Sequence, residues 1–222
     1  MNKYIVGILF TGAAVGGALY FFKQAEKPHF GTVIILNGPS GSGKSTIQRE
    51  FQKLMLPNLW VKVGIDNLFD MPLPDVTAEN MEQWQTKNPI RWVEHGYDVN
   101  GNPVISLFVG DEGQKVVHGM NSAIAAYARN GCNAIVDYIA YKEDWLKDLK
   151  EKLADIKVYY VAVDIPLEVL EQREIARGTS PKGHARSHYA TVYGDMKYDL
   201  RVNSHMHNAI EIAQQLKNMI EK

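Results

Sequence analysis

Short apolar runs alternate with amphipathic stretches along most of this chain. The runs have the length and β-branched content of buried strands, and apolar positions three and four residues apart predict helices between them. The predicted strands lie at 32–37, 60–65, 133–137, 157–163 and 199–203. The predicted helices lie at 45–55, 111–129, 142–154, 166–177 and 206–220. Strands that alternate with helices predict an α/β fold with a parallel central sheet covered on both faces.

Residues 76–110 do not follow this alternation. The runs Arg91–Tyr97 and Val104–Phe108 flank Asn100-Gly101, which is a strong hairpin signal. We therefore predict a small hairpin inserted between the second and third strands. It is either a cap over a binding site or a hairpin that closes only its own small core.

Composition narrows the classes of protein that this chain can belong to. The chain has 222 residues, a formal net charge of −1 and 22% charged residues with no basic stripe, so we predict no nucleic-acid-binding surface. Its single cysteine, Cys132, excludes an intramolecular disulfide and a multi-cysteine metal site, and we expect it to pack as a small apolar residue. Composition does not indicate an oligomeric state.

The first predicted strand leads into a glycine-rich segment with the spacing G-x-x-x-x-G-K-S. Successive backbone N–H groups and the start of the next helix form a site for phosphates, and glycines leave room for close approach. The segment therefore predicts binding of ATP and Mg²⁺, with Lys44 at the β- and γ-phosphates and the Ser45 hydroxyl on the metal. The predicted nucleotide-binding residues are Gly38, Pro39, Ser40, Gly41, Ser42, Gly43, Lys44, Ser45 and Thr46.

A carboxylate stands at the end of two further predicted strands. Asp137 closes the strand at 133–137 and is the candidate second ligand of Mg²⁺, although a cap or turn role is the alternative. Asp66 follows the strand at 60–65, at the edge where ligands bind in open α/β sheets. There it could accept the proton of an attacking hydroxyl, and its alternative role is also a helix cap.

Two arginines are the candidate source of positive charge over the phosphates. Arg173 and Arg177 are four residues apart, on one face of a helix end, and the glycine-rich stretch 178–186 follows. A flexible loop flanked by arginines is typical of a lid, so we predict catalytic roles for both arginines alongside Asp66 and Lys44. The alternative is an ordinary solvated helix face.

The order and spacing of five segments of this sequence are more specific than the phosphate loop alone. The segments are Ile34–Gly38 before the phosphate loop, Gly64–Leu68 with Met71–Leu73, the strand ending in Asp137, Arg173–Gly178, and Tyr198–Val202. Over most of residues 32–217 the chain resembles the chloramphenicol phosphotransferase-like small-molecule kinases. The resemblance implies a three-layer P-loop kinase fold and ATP-dependent phosphorylation of a hydroxyl on a small molecule. It also implies that the carboxylate of Asp66 is the general base.

The chain departs from the family pattern at two places. Thr179-Ser180 stand where an acidic and a basic residue follow the lid arginine and glycine, and Tyr138 stands where a second acidic residue follows Asp137. Residues 76–110 are the part least similar to the family, so the resemblance does not imply that the acceptor is chloramphenicol itself. The alternatives are a kinase of a nucleotide or sugar-nucleotide and a membrane-tethered regulatory module that binds nucleotide without catalysis.

The N-terminus carries a different pattern. Tyr4–Phe22 is uncharged and mostly apolar, and as a helix it would be roughly 28 Å long, close to the thickness of a bilayer core. We predict an N-terminal transmembrane helix within 1–22, a polar linker at 23–31 and the P-loop kinase domain at 32–222. Because that domain needs ATP, we expect a membrane anchor with the domain in the cytoplasm. The alternative is a cleaved signal segment and an exported domain.

Overall fold

The computed structural model of the chain describes residues 5–6, 21–22, 29–70, 73–75, 77–82 and 90–222. The strands are β1 (Ile5–Val6), β2 (Phe21–Phe22), β3 (Val33–Asn37), β4 (Trp60–Gly64), β5 (Ile90–Tyr97), β6 (Pro103–Val109), β7 (Asn133–Tyr138), β8 (Val158–Asp164) and β9 (Leu200–Asn203). The helices are α1 (Lys44–Met55), α2 (Asp111–Arg129), α3 (Glu143–Lys152), α4 (Leu167–Arg177), α5 (His184–Tyr189) and α6 (Ala209–Ile220). A π-helical turn, Asp66–Asp70, follows β4.

A five-stranded sheet in the order β4-β7-β3-β8-β9 forms the centre, and every neighbouring pair in it is parallel. This is the parallel α/β sheet that the sequence predicts. In the register, Asp137 lies opposite Leu36 on one side and Gly64 on the other. The carboxyl ends of β4, β7 and β3 therefore meet at one edge of the sheet, beside the strand where the chain order reverses, which is where such sheets bind ligands.

Alternate residues of the strands build one core on each face of the sheet. Val33 and Ile35 face α2 and α3, whereas Ile34 and Leu36 face α1 and α6. All of them are fully buried, as parallel strands between two helical layers require. The buried polar residues of β3 and β7, Asn37 and Asp137, lie at or next to the carboxyl ends of these strands, and that is where the candidate site lies.

The predicted hairpin is present as an antiparallel pair, β5 and β6, with Ile90 opposite Val109 and an irregularity between Glu94 and Tyr97. The carboxylate of Asp98 accepts the backbone N–H groups of Asn100 and Asn102, which closes the turn. The prediction of a hairpin between the second and third strands of the sheet is therefore confirmed.

The predicted transmembrane helix is wrong. β1 pairs antiparallel with β2, and Ile5 lies opposite Phe22. A continuous helix would hold residues 5 and 22 roughly 25 Å apart, whereas strand partners have Cα atoms about 5 Å apart. No helix in the described part of the chain combines the length and apolar character that a bilayer crossing needs.

The predicted membrane anchor with a cytoplasmic domain depended on that helix, so this prediction is no longer supported. The prediction failed because an uncharged apolar run does not by itself distinguish a helix from a strand. Residues 7–20, between the paired strands, lie outside the described residues, and so does the cut site of the signal-segment alternative.

Two smaller boundaries also differ from the predictions. The last helix begins at Ala209 instead of residue 206, because Asn208 caps it and Glu211 completes a capping box. The stretch 178–186 is only partly a loop, since α5 begins at His184. The buried carboxylate of Glu174 accepts the backbone N–H groups of Gly183 and Ala185 at 2.7 Å and so fixes the start of α5.

We expect Gly64→Ala to destabilise the fold. A Cβ at this position would lie 2.5 Å from the backbone oxygen of Asp137, so β4 would have to move away from β7. Overpacking of this kind costs about 1–3 kcal/mol of the free energy of unfolding, which urea denaturation measures.

Gly119→Ala is the matched control, because it adds the same methyl group inside α2, where nothing lies within 4 Å. There we expect a gain of roughly 0.5–1 kcal/mol from the higher helix propensity of alanine. Equal stability of the Gly64→Ala variant and the unchanged protein would contradict the close approach of the two strands.

Candidate active site

The phosphate loop connects the end of β3 to the start of α1. Gly41 and Gly43 have φ angles of +87° and +92°, a left-handed conformation that glycine adopts without strain. A Cβ at Gly38 would lie 2.7 Å from the backbone oxygen of Val163. The glycines therefore allow both the turn of the loop and its close contact with β8.

The Lys44 ammonium is buried inside this loop. Its Nζ donates to the carbonyl oxygens of Gly38 and Pro39, both at 2.9 Å, and lies 3.4 Å from Oδ1 of Asp137. Burial lowers the pKa of Lys44, while the charge of Asp137 and its hydrogen bond raise it, and Asp66 also raises it. The lysine is thus held by oxygens at the bottom of the loop, with carboxylates nearby that favour its charged form.

The two predicted metal ligands lie together. The Ser45 hydroxyl at the start of α1 donates to Oδ2 of Asp137 at the end of β7, at 2.7 Å. Both residues line the same cavity as the phosphate loop. A hydroxyl and a carboxylate beside a phosphate site are the oxygen donors that Mg²⁺ prefers, so these residues fit that ion.

The departure at Tyr138 does not affect this pair. Tyr138 is on the opposite face of β7 from Asp137, and its hydroxyl donates to Asn121 and the backbone oxygen of Trp145 in the core beneath α2 and α3. Burial raises the pKa of Tyr138. Because neighbouring residues of a strand point to opposite faces, this position lies away from the metal ligands.

Asp66 begins the π-helical turn directly after Ile65, at the end of β4. It is exposed and lines two neighbouring cavities. One cavity, of about 710 Å³, extends over the phosphate loop, and the other, of about 470 Å³, lies under the hairpin. The predicted base therefore stands on the wall between them.

Half of the twelve described residues that line the hairpin cavity are apolar or aromatic. Trp92 and Leu107 come from the hairpin, and Ile65 and Ile139 from the edge of the sheet. Among its described lining residues, the charged side chains are Asp66 and Arg177. The remaining lining residues are Ser40, Ile90, Tyr141, Thr179, Ser180 and His184. This cavity can hold a small molecule with an apolar body beside the phosphate loop.

The two predicted lid arginines reach the phosphate loop from α4. Nη2 of Arg177 donates to the Ser40 hydroxyl at 2.9 Å, and Nη2 of Arg173 donates to the backbone oxygen of Ser204 at 3.0 Å. Both line the larger cavity, and Arg177 also lines the smaller one. The structure thus brings both arginines to the cleft. The departure at Thr179-Ser180 leaves two hydroxyls in the wall of the smaller cavity.

An ion-pair bridge joins the hairpin to α4 and α5. Arg186 donates to Asp98 at the hairpin turn, at 2.9 Å, and to Glu171 of α4, at 2.6 Å. The backbone of β6 also contacts the turn before α5, because the N–H of Ile105 donates to Gly183. The wall of the smaller cavity is therefore built from elements that are bonded to one another.

Sequence reasoning missed two buried histidines of α5. Nε2 of His188 accepts the backbone N–H of Ser40, at 3.1 Å. Nε2 of His184 lies 2.9 Å from the hydroxyl oxygen of Tyr141. Burial lowers the pKa of His184 to about 4 and that of His188 to about 3. Their spacing, four residues apart on one helix face, is the signal that could have placed them together.

Two buried amides were missed as well. Asn37, at the end of β3, donates to the backbone oxygen of Val192 and accepts the N–H of Ala140. Gln48, one turn after Lys44 in α1, donates to the backbone oxygens of Val63 and Ile135. A polar residue on an otherwise buried face was their sequence signal. They hold α1 and the loop after β7 against the sheet and do not line either cavity.

Three comparisons relate this chain to known proteins. The sequence profile of the family described as chloramphenicol phosphotransferase-like protein matches residues 31–221. A protein of Mycobacterium tuberculosis (strain H37Rv) that is named as an O-phosphotransferase is 27% identical over 186 residues, which are 84% of this chain and 80% of that protein. The 2-phosphoglycerate kinase of Pyrococcus furiosus is 28% identical over 128 residues, which are 57% of this chain and 41% of that enzyme.

A solved structure supports the fold. The APS kinase of Mycobacterium tuberculosis, in complex with AMPPNP and APS, has a TM-score of 0.57 and 19% identity, and the match covers 88% of this chain and 100% of that chain. The relatives are named as kinases or phosphotransferases, which favours an enzyme over a non-catalytic nucleotide-binding module. This protein is an ATP-dependent phosphotransferase of the P-loop kinase superfamily that uses a hydroxyl acceptor. The chain belongs to the chloramphenicol phosphotransferase-like protein family.

Proposed function

We propose that this enzyme transfers the γ-phosphoryl group of ATP to a hydroxyl of a neutral small molecule bound in the cavity under the hairpin. The observation that carries the proposal is the position of Asp66, which lines both cavities. ATP over the phosphate loop and an acceptor under the hairpin would both be next to this carboxylate.

In the proposed reaction Asp66 is the general base. Its carboxylate accepts the proton of the acceptor hydroxyl while the hydroxyl oxygen forms a bond to the γ-phosphorus. The bond from that phosphorus to the β,γ-bridging oxygen breaks, and ADP leaves with the electron pair. The products are ADP and the phosphate ester of the acceptor.

The remaining site residues would neutralise charge on the transferring group. Lys44 is held at the bottom of the loop for the β- and γ-phosphates, and Arg173 and Arg177 reach the cleft from α4. Ser45 and Asp137 would hold Mg²⁺, which when bound neutralises part of the phosphate charge. Fixed donors in a site of this kind stabilise charge that develops in the transition state.

The lining of the hairpin cavity favours a neutral acceptor over a nucleotide or sugar-nucleotide. Binding of a phosphorylated acceptor requires cations beyond those used for ATP, because a buried phosphate needs a partner of opposite charge. Of the described residues around this cavity, Arg177 is the cation, and it is shared with the phosphate-loop cavity. Trp92, Leu107 and Ile139 instead offer an apolar surface for the body of the molecule.

A screen of acceptors tests this proposal. The full-length chain is incubated with Mg²⁺ and ATP labelled at the γ-phosphate, and with neutral alcohols that carry an aromatic or apolar body, chloramphenicol included. Nucleotides, sugar-nucleotides and 2-phosphoglycerate form the comparison set. We expect phosphate esters of members of the neutral set. Labelling confined to phosphorylated acceptors would contradict the proposed acceptor class, and tight ATP binding without transfer to any compound would contradict the proposed reaction.

We expect Asp66→Asn to lower the rate of phosphoryl transfer by about a hundredfold or more, because the amide cannot accept the proton. The affinity for AMP-PNP, measured by calorimetry, should stay within about threefold, since the base is not expected to contact the nucleotide. Asp75→Asn, at an exposed aspartate outside both cavities, is the control and should keep full activity. Undiminished transfer by the Asp66→Asn variant would rule out this base.

We expect Asp137→Asn to raise the Mg²⁺ concentration that gives half-maximal activity by about tenfold or more, because a neutral amide is a weaker ligand for this ion. Activity is measured across a titration of Mg²⁺ at constant ATP. Asp155→Asn removes an aspartate that pairs with Arg129 on the surface, and it should leave the Mg²⁺ requirement unchanged. An unaltered requirement in the Asp137→Asn variant would exclude this residue from the metal site.

A further inference from the structure

The peptide group between Pro39 and Ser40 is held from both sides. Its carbonyl oxygen accepts from Lys44 Nζ at 2.9 Å and from the N–H of Ser42 at 3.2 Å. Its N–H, on Ser40, donates to Nε2 of His188 at 3.1 Å. Because a trans peptide is planar, its carbonyl and its N–H point in opposite directions. A group that holds the N–H therefore also sets the direction of the carbonyl.

The ring of His188 is fixed in place. His188 is 4% exposed, and its ring centroid lies 4.9 Å from that of Tyr141 and 4.7 Å from that of His184. The helix that carries it, α5, is held at its start by the buried carboxylate of Glu174. The acceptor nitrogen that faces the loop thus belongs to a rigid part of the structure, and His188 lines neither cavity.

His188 is in the protonation state that this contact requires. Burial, together with smaller effects of the nearby His184 and Lys44, lowers its pKa to about 3. The imidazole is therefore neutral at neutral pH. Because Nε2 accepts the Ser40 N–H, the ring proton is on Nδ1.

We propose that His188 is a positioning residue of the phosphate loop: it orients the Pro39–Ser40 peptide so that the peptide carbonyl holds the Lys44 ammonium where the triphosphate binds. The inference rests on the proposed function in one respect, namely that Lys44 binds the β- and γ-phosphates. His188 acts through Lys44 and lines neither cavity.

The alternative to positioning is simple packing of a buried ring. The two roles differ in what happens when the acceptor nitrogen is lost. With an apolar side chain at position 188, the N–H of the half-buried Ser40 loses its partner in the protein, and rotation of the peptide toward another acceptor becomes favourable. That rotation turns the Pro39 carbonyl away from Lys44, so the contact with the phosphates weakens. A packing defect alone would weaken the binding of every nucleotide by the same factor.

Two variants separate these roles. His188→Leu removes the acceptor, whereas His188→Gln carries an amide oxygen that can reach about as far as Nε2. The measurement is the ratio of the affinities for AMP-PNP and AMP, each obtained by calorimetry with Mg²⁺ on the full-length chain. AMP lacks the β- and γ-phosphates, so the ratio reports their contacts with Lys44.

We expect His188→Leu to lower this ratio by about tenfold, as the loss of a hydrogen bond to a charged group would. In His188→Gln the ratio should stay within about threefold of the unchanged protein. An unaltered ratio in His188→Leu, or an equal loss in His188→Gln, would overturn the proposal.

One control and one replacement variant accompany this comparison. Ser187→Ala removes the hydrogen bond between Ser187 and the backbone oxygen of His184 within α5, without touching the loop, and should leave the ratio unchanged. A fall of the ratio in this control would assign the effect to α5 as a whole and contradict the proposal. If His188→Leu fails to fold, as judged by its thermal transition, His188→Asn replaces it, because its shorter amide reaches only to the position of Nδ1. The same tenfold fall is then expected.

The outcome for the unchanged protein separates this proposal from the proposed function. If the unchanged protein does not prefer AMP-PNP over AMP, the proposed triphosphate site itself fails. If it does, the variants decide the role of His188 alone.

Discussion

The buried ammonium of Lys44 is the constraint on which the rest of the site depends. Burial of a charge is costly unless oxygens of opposite charge or polarity surround it. Here the carbonyls of Gly38 and Pro39 and the carboxylate of Asp137 do so. The carbonyls require the tight loop that Gly41 and Gly43 permit, and the carboxylate requires β7 beside β3. The phosphate site is therefore a consequence of how the sheet and the loop stabilise one lysine.

The second level of organisation is the shared wall between two cavities. The hairpin, α4 and α5 are bonded to one another through Arg186 and Glu174, so they form one structure around the acceptor side. Arg177 extends from this structure to the phosphate loop, and Asp66 faces it from the sheet edge. The donor and acceptor sides of a phosphoryl transfer are thus adjacent because elements distant in sequence meet at one sheet edge.

Local patterns predicted most of the elements but not all of their limits. Apolar runs and helical spacing placed the strands and helices of the sheet within a few residues, since burial on both faces leaves a strong signal in each. The prediction of an N-terminal helix was wrong because it rested on composition alone. Composition does not indicate the pairing of Ile5 with Phe22, which are distant in the sequence. The start of α5 was missed because Glu174, in the preceding helix, supplies its cap.

By itself the sequence determined the phosphate loop, its lysine and the carboxylates at the strand ends, because spacing and neighbouring periodicity are local properties of the chain. Only the tertiary structure decided that Ser45 meets Asp137, that Tyr138 points to the opposite face, and that His188 reaches the loop. Those relations depend on strand order and on the packing of α5. Contacts between residues of different strands and helices leave no periodic signal in the sequence, and the fold supplies them.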